Sequence, residues 1–244
     1  MAPTSGTTTH NPVFNTIVYS ALRKVGGYSS SDQPRAEQVA DAVSELNDML
    51  KEWQSEGLTW LRQFIYVTLV AAQASYDIGP TSTDGVHADD GEVTDYLQRP
   101  VRVHDATRLD TNGNEVPINS MSRSDYLAKT NKSSAGTVVD YYYDAQRDNG
   151  KLFVWPTPAT GVTDKIVLDV DRTIEDAGTD GTTMTLDIPP DWINAVKWGL
   201  AARICPEYGI SLSERDRLGK EAEFLKDKAT GFARENVSTF FQPG

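Results

Sequence analysis

The chain has 244 residues, 39% of them hydrophobic, which suffices for a packed core in one large domain or two small ones. Thirty-five acidic residues against 23 basic ones leave a formal charge of −12, which argues against wrapping a nucleic acid by phosphate neutralisation. The single cysteine, Cys205, excludes an internal disulfide framework and a cysteine-rich zinc site, and fits a reducing compartment.

No stretch approaches the roughly 18 apolar residues of a membrane span. Residues 1–10 are rich in Thr, Ser and Gly, with no basic or apolar leader segment, so a flexible lead is expected and not a secretion signal. A soluble, cytosolic product follows. The acidity also has a second reading: a protein that surrounds DNA without holding it is better served by a negative wall than a positive one.

In chain order, Asn11-Pro12 predicts a helix start, and Val13, Ile17, Ala21 and Val25 repeat every four residues until Gly26-Gly27 stops the helix. Residues 34–60 then carry the dominant pattern. Ala36, Val39, Ala40, Val43, Leu46, Leu50 and Trp53 share one helical face, while Glu37, Asp41, Ser44, Asp48, Lys51 and Glu52 fall away from it. Ser31 and Asp32 ahead of Pro34 mark the start and Gly57 the end, giving a helix of roughly 34 Å that needs apolar cover along its length.

After Gly57 the period changes. Residues 64–70, 100–109, 116–118, 137–143, 151–155 and 165–170 read as strands from their aromatic and β-branched content, with Asn112-Gly113 and Asp148-Asn149-Gly150 as tight turns. An antiparallel β-region is expected, with Val138, Tyr142, Leu152, Val154, Ile166 and Leu168 inward. Residues 77–95 form an acidic loop without Lys or Arg, and residues 122–129 a short helix capped by Ser122 or Ser124. Pro189-Pro190-Asp191 opens a third major helix. Ser211 to Glu214 reads as a capping box before a fourth helix, whose stripe is Leu218, Ala222, Leu225, Ala229 and Phe232.

Two helices, a strand-rich middle and two more helices predict an α+β fold: a four-helix bundle built from N- and C-terminal helix pairs, with an inserted antiparallel β-domain. The expected organisation is a lead over 1–10, a helical bundle domain from 11–60 with 188–235, a β-rich domain over 61–187 and a tail over 236–244.

Chemistry-bearing patterns are sparse. Cys205, between Ile204 and Pro206 on an apolar helix side, reads as a packed thiol and not a nucleophile. His10, His87 and His104 have no metal-collecting spacing. Asp84, Asp89, Asp90, Glu92 and Asp95 lack the ladder of a calcium loop, and residues 110–115 fit a hairpin turn better. The carboxylate pairs Glu52 with Glu56 and Asp169 with Asp171 fit a helix surface and a strand face better than a glycosidase site. Tyr141, Tyr142 and Tyr143 read as sheet packing in place of base stacking, since basic residues around them are few. Phe240-Phe241 has no obvious internal home, leaving partner docking or a tail without a role. No catalytic residues, metal ligands or cofactor are expected.

Several segments together resemble a known family. Leu46-Asn47-Asp48-Met49-Leu50 with Trp53, Gly57-Leu58 and Trp60 is similar to a signature of phage head-to-tail adaptors, the tail accessory or packaged-DNA stabilisation proteins of short-tailed phages. Gln73, Tyr76 and Gly79, then Arg123 and Tyr126, Tyr141 to Asp144, Leu152 to Pro158, and Ile188-Pro189 with Trp192 and Ala195 follow in the family order. The resemblance implies a non-enzymatic virion protein of the tail or neck, made in the host cytoplasm. It implies a ring of twelve copies under the portal that extends the DNA channel, helps retain packaged DNA and supports the next tail component, a nozzle or tail hub. DNA passes without specific binding, and no membrane is involved. By position the resemblance makes Phe232, Val237, Phe240 and Phe241 the portal-binding residues. The competing classes are a tail-associated peptidoglycan hydrolase and an internal virion or regulatory binding module.

Overall fold

The computed structural model describes residues 10–29, 32–84, 86–87, 98–161, 163–178 and 181–232. The elements are α1 (Phe14–Lys24), α2 (Ala36–Ser55), β1 (Arg62–Thr68), β2 (Ser75–Ile78), β3 (Val86–His87), β4 (Arg102–Leu109), β5 (Glu115–Pro117), β6 (Asn119–Ser120), α3 (Arg123–Ala128), β7 (Ala135–Gly136), β8 (Asp140–Asp144), β9 (Gly150–Trp155), β10 (Thr157–Pro158), β11 (Lys165–Asp171), α4 (Ile193–Ile204) and α5 (Leu212–Phe232). The chain divides into two compact units: residues up to Trp60 together with those from Ile174 onward, and Leu61–Thr173.

In the helical unit, α4 takes the central place because it is apolar nearly all round. Ile193, Ala195, Val196, Leu200, Ala201 and Ile204 are all buried on it. Helices α1, α2 and α5 each pack on α4. Gly199 lets α2 come close: a Cβ there would lie 2.9 Å from the Trp53 ring and 3.0 Å from the Met49 sulfur. Trp192 joins Trp53 and Trp60 at ring-centroid distances of 5.9 and 6.3 Å, closing this end of the core.

The helix starts differ from the expected caps. The orphan N–H groups of Phe14 and Asn15 donate to the carbonyls of Met184 and Gly181, at 3.0 and 3.2 Å, so a returning segment takes the role given to Asn11. A Cβ at Gly181 would overlap the Asn15 side-chain amide, which would have to turn away. Helix α2 begins after Arg35, whose N–H donates to the Gln38 side chain at 3.1 Å; Ser31 lies outside the described residues. The capping box read at Ser211 does not form: Glu214 accepts from Arg217 at 2.6 Å, leaving Ser211 to act through its carbonyl. In α3 the cap is Ser122, whose hydroxyl accepts from Asp125 N–H at 3.1 Å.

The second unit holds a five-stranded sheet, β3-β1-β11-β4-β5, and a four-stranded sheet, β2-β9-β8-β6, with β7 and β10 as a separate pair. Strand β11 is central because its run Ile166, Val167, Leu168, Val170 is buried on both faces. Tyr76, Leu152 and Val154 from one sheet share a core with Ile65, Val67, Ile166 and Leu168 from the other. Tyr141 is buried in that core, so β8 turns the opposite parity inward from the one expected: Tyr142 is half-buried on the outer face.

The mixed α+β class stands, but the four-helix bundle with an inserted antiparallel β-domain does not. Helix α5 packs chiefly on α4, through Leu218 and Ala229, its only buried apolar residues. Its stripe is therefore too thin to close a four-helix ring around a shared axis. The strands are a substantial part of the chain and form several sheets in place of one antiparallel block, with β6·β8 and β7·β10 parallel and α3 lying among them.

Candidate functional site

The side chains weighed for chemistry are occupied in holding the fold. Cys205 is buried, its thiol donates to the Ala202 carbonyl at 3.0 Å, and burial pushes its pKa up, away from the thiolate a nucleophile needs. Glu52 accepts from Arg203 at 2.5 Å and Glu56 from Lys226 at 2.6 Å, so this carboxylate pair ties α2 to α4 and α5. Asp169 binds Arg62 across β1 and β11. Asp171 lies 2.9 Å from His104 Nε2, within ion-pairing range but outside hydrogen-bond geometry.

Asp84 uses both oxygens on its own turn, accepting from Gln73 Nε2 at 2.9 Å and from Asp77 N–H at 2.6 Å. Asp89, Asp90, Glu92 and Asp95 lie outside the described residues, as does the His87 side chain. Asp110 accepts from the Asn114 side chain at 2.9 Å and from the N–H groups of Asn114 and Asn112 at 2.8 Å. These bonds hold its carboxyl below the usual range and close a hairpin. Among the described residues, no three His, Cys, Asp or Glu side chains converge as metal ligands.

The tyrosine run is likewise internal architecture. Tyr142 stacks on Phe153 and Tyr126 at 5.7 and 6.2 Å between centroids. Tyr143 donates its hydroxyl to the Pro100 carbonyl at 2.7 Å, and desolvation raises its pKa strongly. Lys129 sits 3.7 Å above Trp155 and donates to Asp140 at 2.9 Å, so its charge is already engaged.

What remains uncovered are apolar surfaces on the helical unit. A groove of about 860 Å3 opens where α1 and α2 meet Ala177, Gly178, Gly181 and Thr182, lined by Phe14, Tyr19, Ala36, Val39, Ala40 and Val43 among others. Ala36 and Ala40, read from the sequence as core, are exposed here because no element among the described residues covers the first half of that face. Gly178 and Gly181, which carry no side chain, are among the lining residues opposite. A smaller cleft of about 390 Å3 lies between the start of α4 and the end of α5, bounded by Pro190, Asn194, Leu225, Ala229 and Phe232.

Phe232 itself is 85% exposed at the rim of that cleft. Val237, Phe240 and Phe241 lie outside the described residues. Leu212 and Phe224, 77% and 62% exposed on α5, were not singled out from the sequence. Their signal was available: both fall off the Leu218–Ala229 stripe at helical spacing.

Ion-paired acids, a packed thiol and exposed apolar surfaces among the described residues fit the class of structural interaction proteins. The family model of the SU10 adaptor protein matches residues 17–237, and the chain belongs to that family, the phage head-to-tail adaptors. A comparison with curated proteins finds no match. Among the described residues, no helix is long and apolar enough to cross a membrane.

Proposed function

We propose that this chain forms a ring of twelve copies beneath the portal in the neck of a tailed phage. The ring extends the DNA channel, helps retain the packaged genome and carries the next tail component, a nozzle or tail hub. Membership of the SU10 adaptor protein family carries this reading. The uncovered faces of the helical unit support it, since a ring buries on its neighbours what a single copy leaves in water.

Phe232, followed in sequence by Val237, Phe240 and Phe241, forms the portal-binding element. An apolar anchor at 85% exposure on the last helix suits burial in a partner's pocket. The net charge of −12 supports a bore that repels DNA phosphates, so that the genome slides without being held. The free chain is a monomer at modest concentration, and the portal supplies the symmetry on which the ring closes.

The test is imaging of the portal vertex of DNA-filled heads that lack the chain, before and after the purified protein is added. A new ring of density is expected, and a bare vertex refutes the proposal. Phe240→Ser with Phe241→Ser should abolish that density; unchanged binding removes those residues from the portal contact. A stable ring seen by sedimentation of the chain alone refutes portal-triggered assembly.

A further inference from the structure

The helical unit carries two unlike surfaces turned away from its central helix. On α2, Met49 and Trp53 face α4, while Ala36, Ala40 and Val43 line the 860 Å3 groove. At roughly 100° per residue the centres of these two sets lie about 130° apart around the helix, at the two edges of its broad apolar face. Among the described residues, none of the fifteen that line the groove is charged, in a chain where 24% are. Along α2 the groove is rimmed by Glu37, Asp41 and Asp48, all exposed and without an ion pair among the described residues.

Helix α5 presents the counterpart. Phe224 is 62% exposed on the side away from Leu218 and Ala229, which meet the core. Lys220 and Lys228 stand one turn before and after it, and Arg217, shared with Glu214, two turns before; Glu221 and Asp227 lie at the edges of this face. The acidic rim and the basic face each span twelve residues, about 16 Å of helix. Both helices pack on α4 through other residues, so both faces are open to a second copy. A contact between unlike faces of identical chains is the kind that closes into a ring.

We propose that the α5 face of one copy docks on the α2 rim and groove of the next, with Lys220 and Lys228 against Asp41 and Asp48, and Phe224 entering the groove past Ser44. The inference rests on the ring reading and names the interface that reading requires. Charge complementarity selects the second copy as occupant: an apolar plug with basic flanks meets an apolar slot with an acidic rim.

The test uses charge reversal on full-length chains added to portal-bearing heads that lack them, counting copies per vertex by electron microscopy. Lys220→Glu with Lys228→Glu, and separately Asp41→Lys with Asp48→Lys, should each lower the count about tenfold. Combining all four changes should restore it to within roughly twofold of the natural chain. Restoration also shows that the reversed chains fold, and thermal melts of each provide a second check.

Full rings from either reversed chain, or a combined variant no better than its parents, overturn this interface while leaving the ring intact. Normal copy number with loss of the next tail component assigns the face to that component and overturns it equally. A natural chain that leaves the vertex bare overturns the ring reading and this inference together, so the two failures are told apart.

Discussion

Asn47 offers a sharp test of how the helical unit is closed. On α2 it stands in a column with Lys51 and Gln54 that fastens the returning chain. Ala177 N–H donates to Asn47 Oδ1 at 2.8 Å, and Asn47 Nδ2 donates to the Ala177 carbonyl at 3.5 Å. Lys51 Nζ donates to the Ile174 carbonyl at 2.5 Å and pairs with Asp176 at 2.7 Å, while Gln54 Oε1 accepts from Ile174 N–H at 2.8 Å.

Asn47→Ala leaves the N–H of Ala177, a buried residue, without its acceptor, which costs about 1–3 kcal/mol. The 3.5 Å bond adds little, and the better helix propensity of alanine returns about 0.5 kcal/mol. A net loss of about 1–2 kcal/mol follows. For a chain of this size that is a drop of roughly 2–8 °C in the melting midpoint.

Asn47→Asp keeps the short acceptor and gives up only the long donor bond, so it should cost under about 0.5 kcal/mol. Urea unfolding followed by tryptophan fluorescence suits the measurement, because Trp53, Trp60, Trp192 and Trp198 lie in the helical unit and only Trp155 outside it. Equal losses for the two variants, or an alanine variant as stable as the natural chain, refute the assigned geometry.

Leu200→Ala removes a fully buried side chain from the helix on which the other three pack, and chemical denaturation should register a loss of about 3–5 kcal/mol. Arg203 bridges Glu45 and Glu52 at 2.8 and 2.5 Å with about a third of its side chain exposed, so Arg203→Ala should cost no more than about 1 kcal/mol, less in high salt. Asp110 has its carboxyl pKa depressed by the hydrogen bonds of Asn114 and Asn112, so the hairpin order it provides is complete above the ordinary aspartate range and is lost only as pH falls through the lower folded value. Amide resonances of Asn112 and Asn114 followed through an acid titration should stay unmoved until below that range; early movement contradicts the hydrogen bonding.

Much of the local structure was legible because it rests on periodicity. The three-and-four spacing of residues 36–53 predicts α2, and the apolar run of residues 165–170 predicts β11. Which element covers which face was not legible, since periodicity gives a direction and never a partner. Hence Ala36 and Ala40 read as core yet lie open, and Tyr142 was placed inward where Tyr141 goes. The mixed spacing along α4 held the missing clue: a helix without a polar side is one that others surround.

The same limit applies to the docking surfaces. Leu218, Ala222, Leu225 and Ala229 suggest a full helical seam, but only Leu218 and Ala229 are fully buried, and Phe224 and Phe232 are left to water. Short strands such as β2, β6 and β10 passed unread, because two to four residues carry no period and their pairing with β9, β8 and β7 is set by distant sequence. The carboxylate pairs looked like candidates for chemistry only while their cationic partners, far away along the chain, were out of view.

The place of α4 in the helical unit has a consequence for birth on the ribosome. Helices α1 and α2 emerge early, yet the surface that shelters them follows about 140 residues later, roughly 7–30 s at ordinary elongation rates. The continuous stretch from Leu61 to Thr173 has all its own partners in hand well before then. Synthesis therefore imposes a schedule in which the middle of the polypeptide matures first and its two ends reunite last, with the apolar stripes of the opening helices exposed meanwhile.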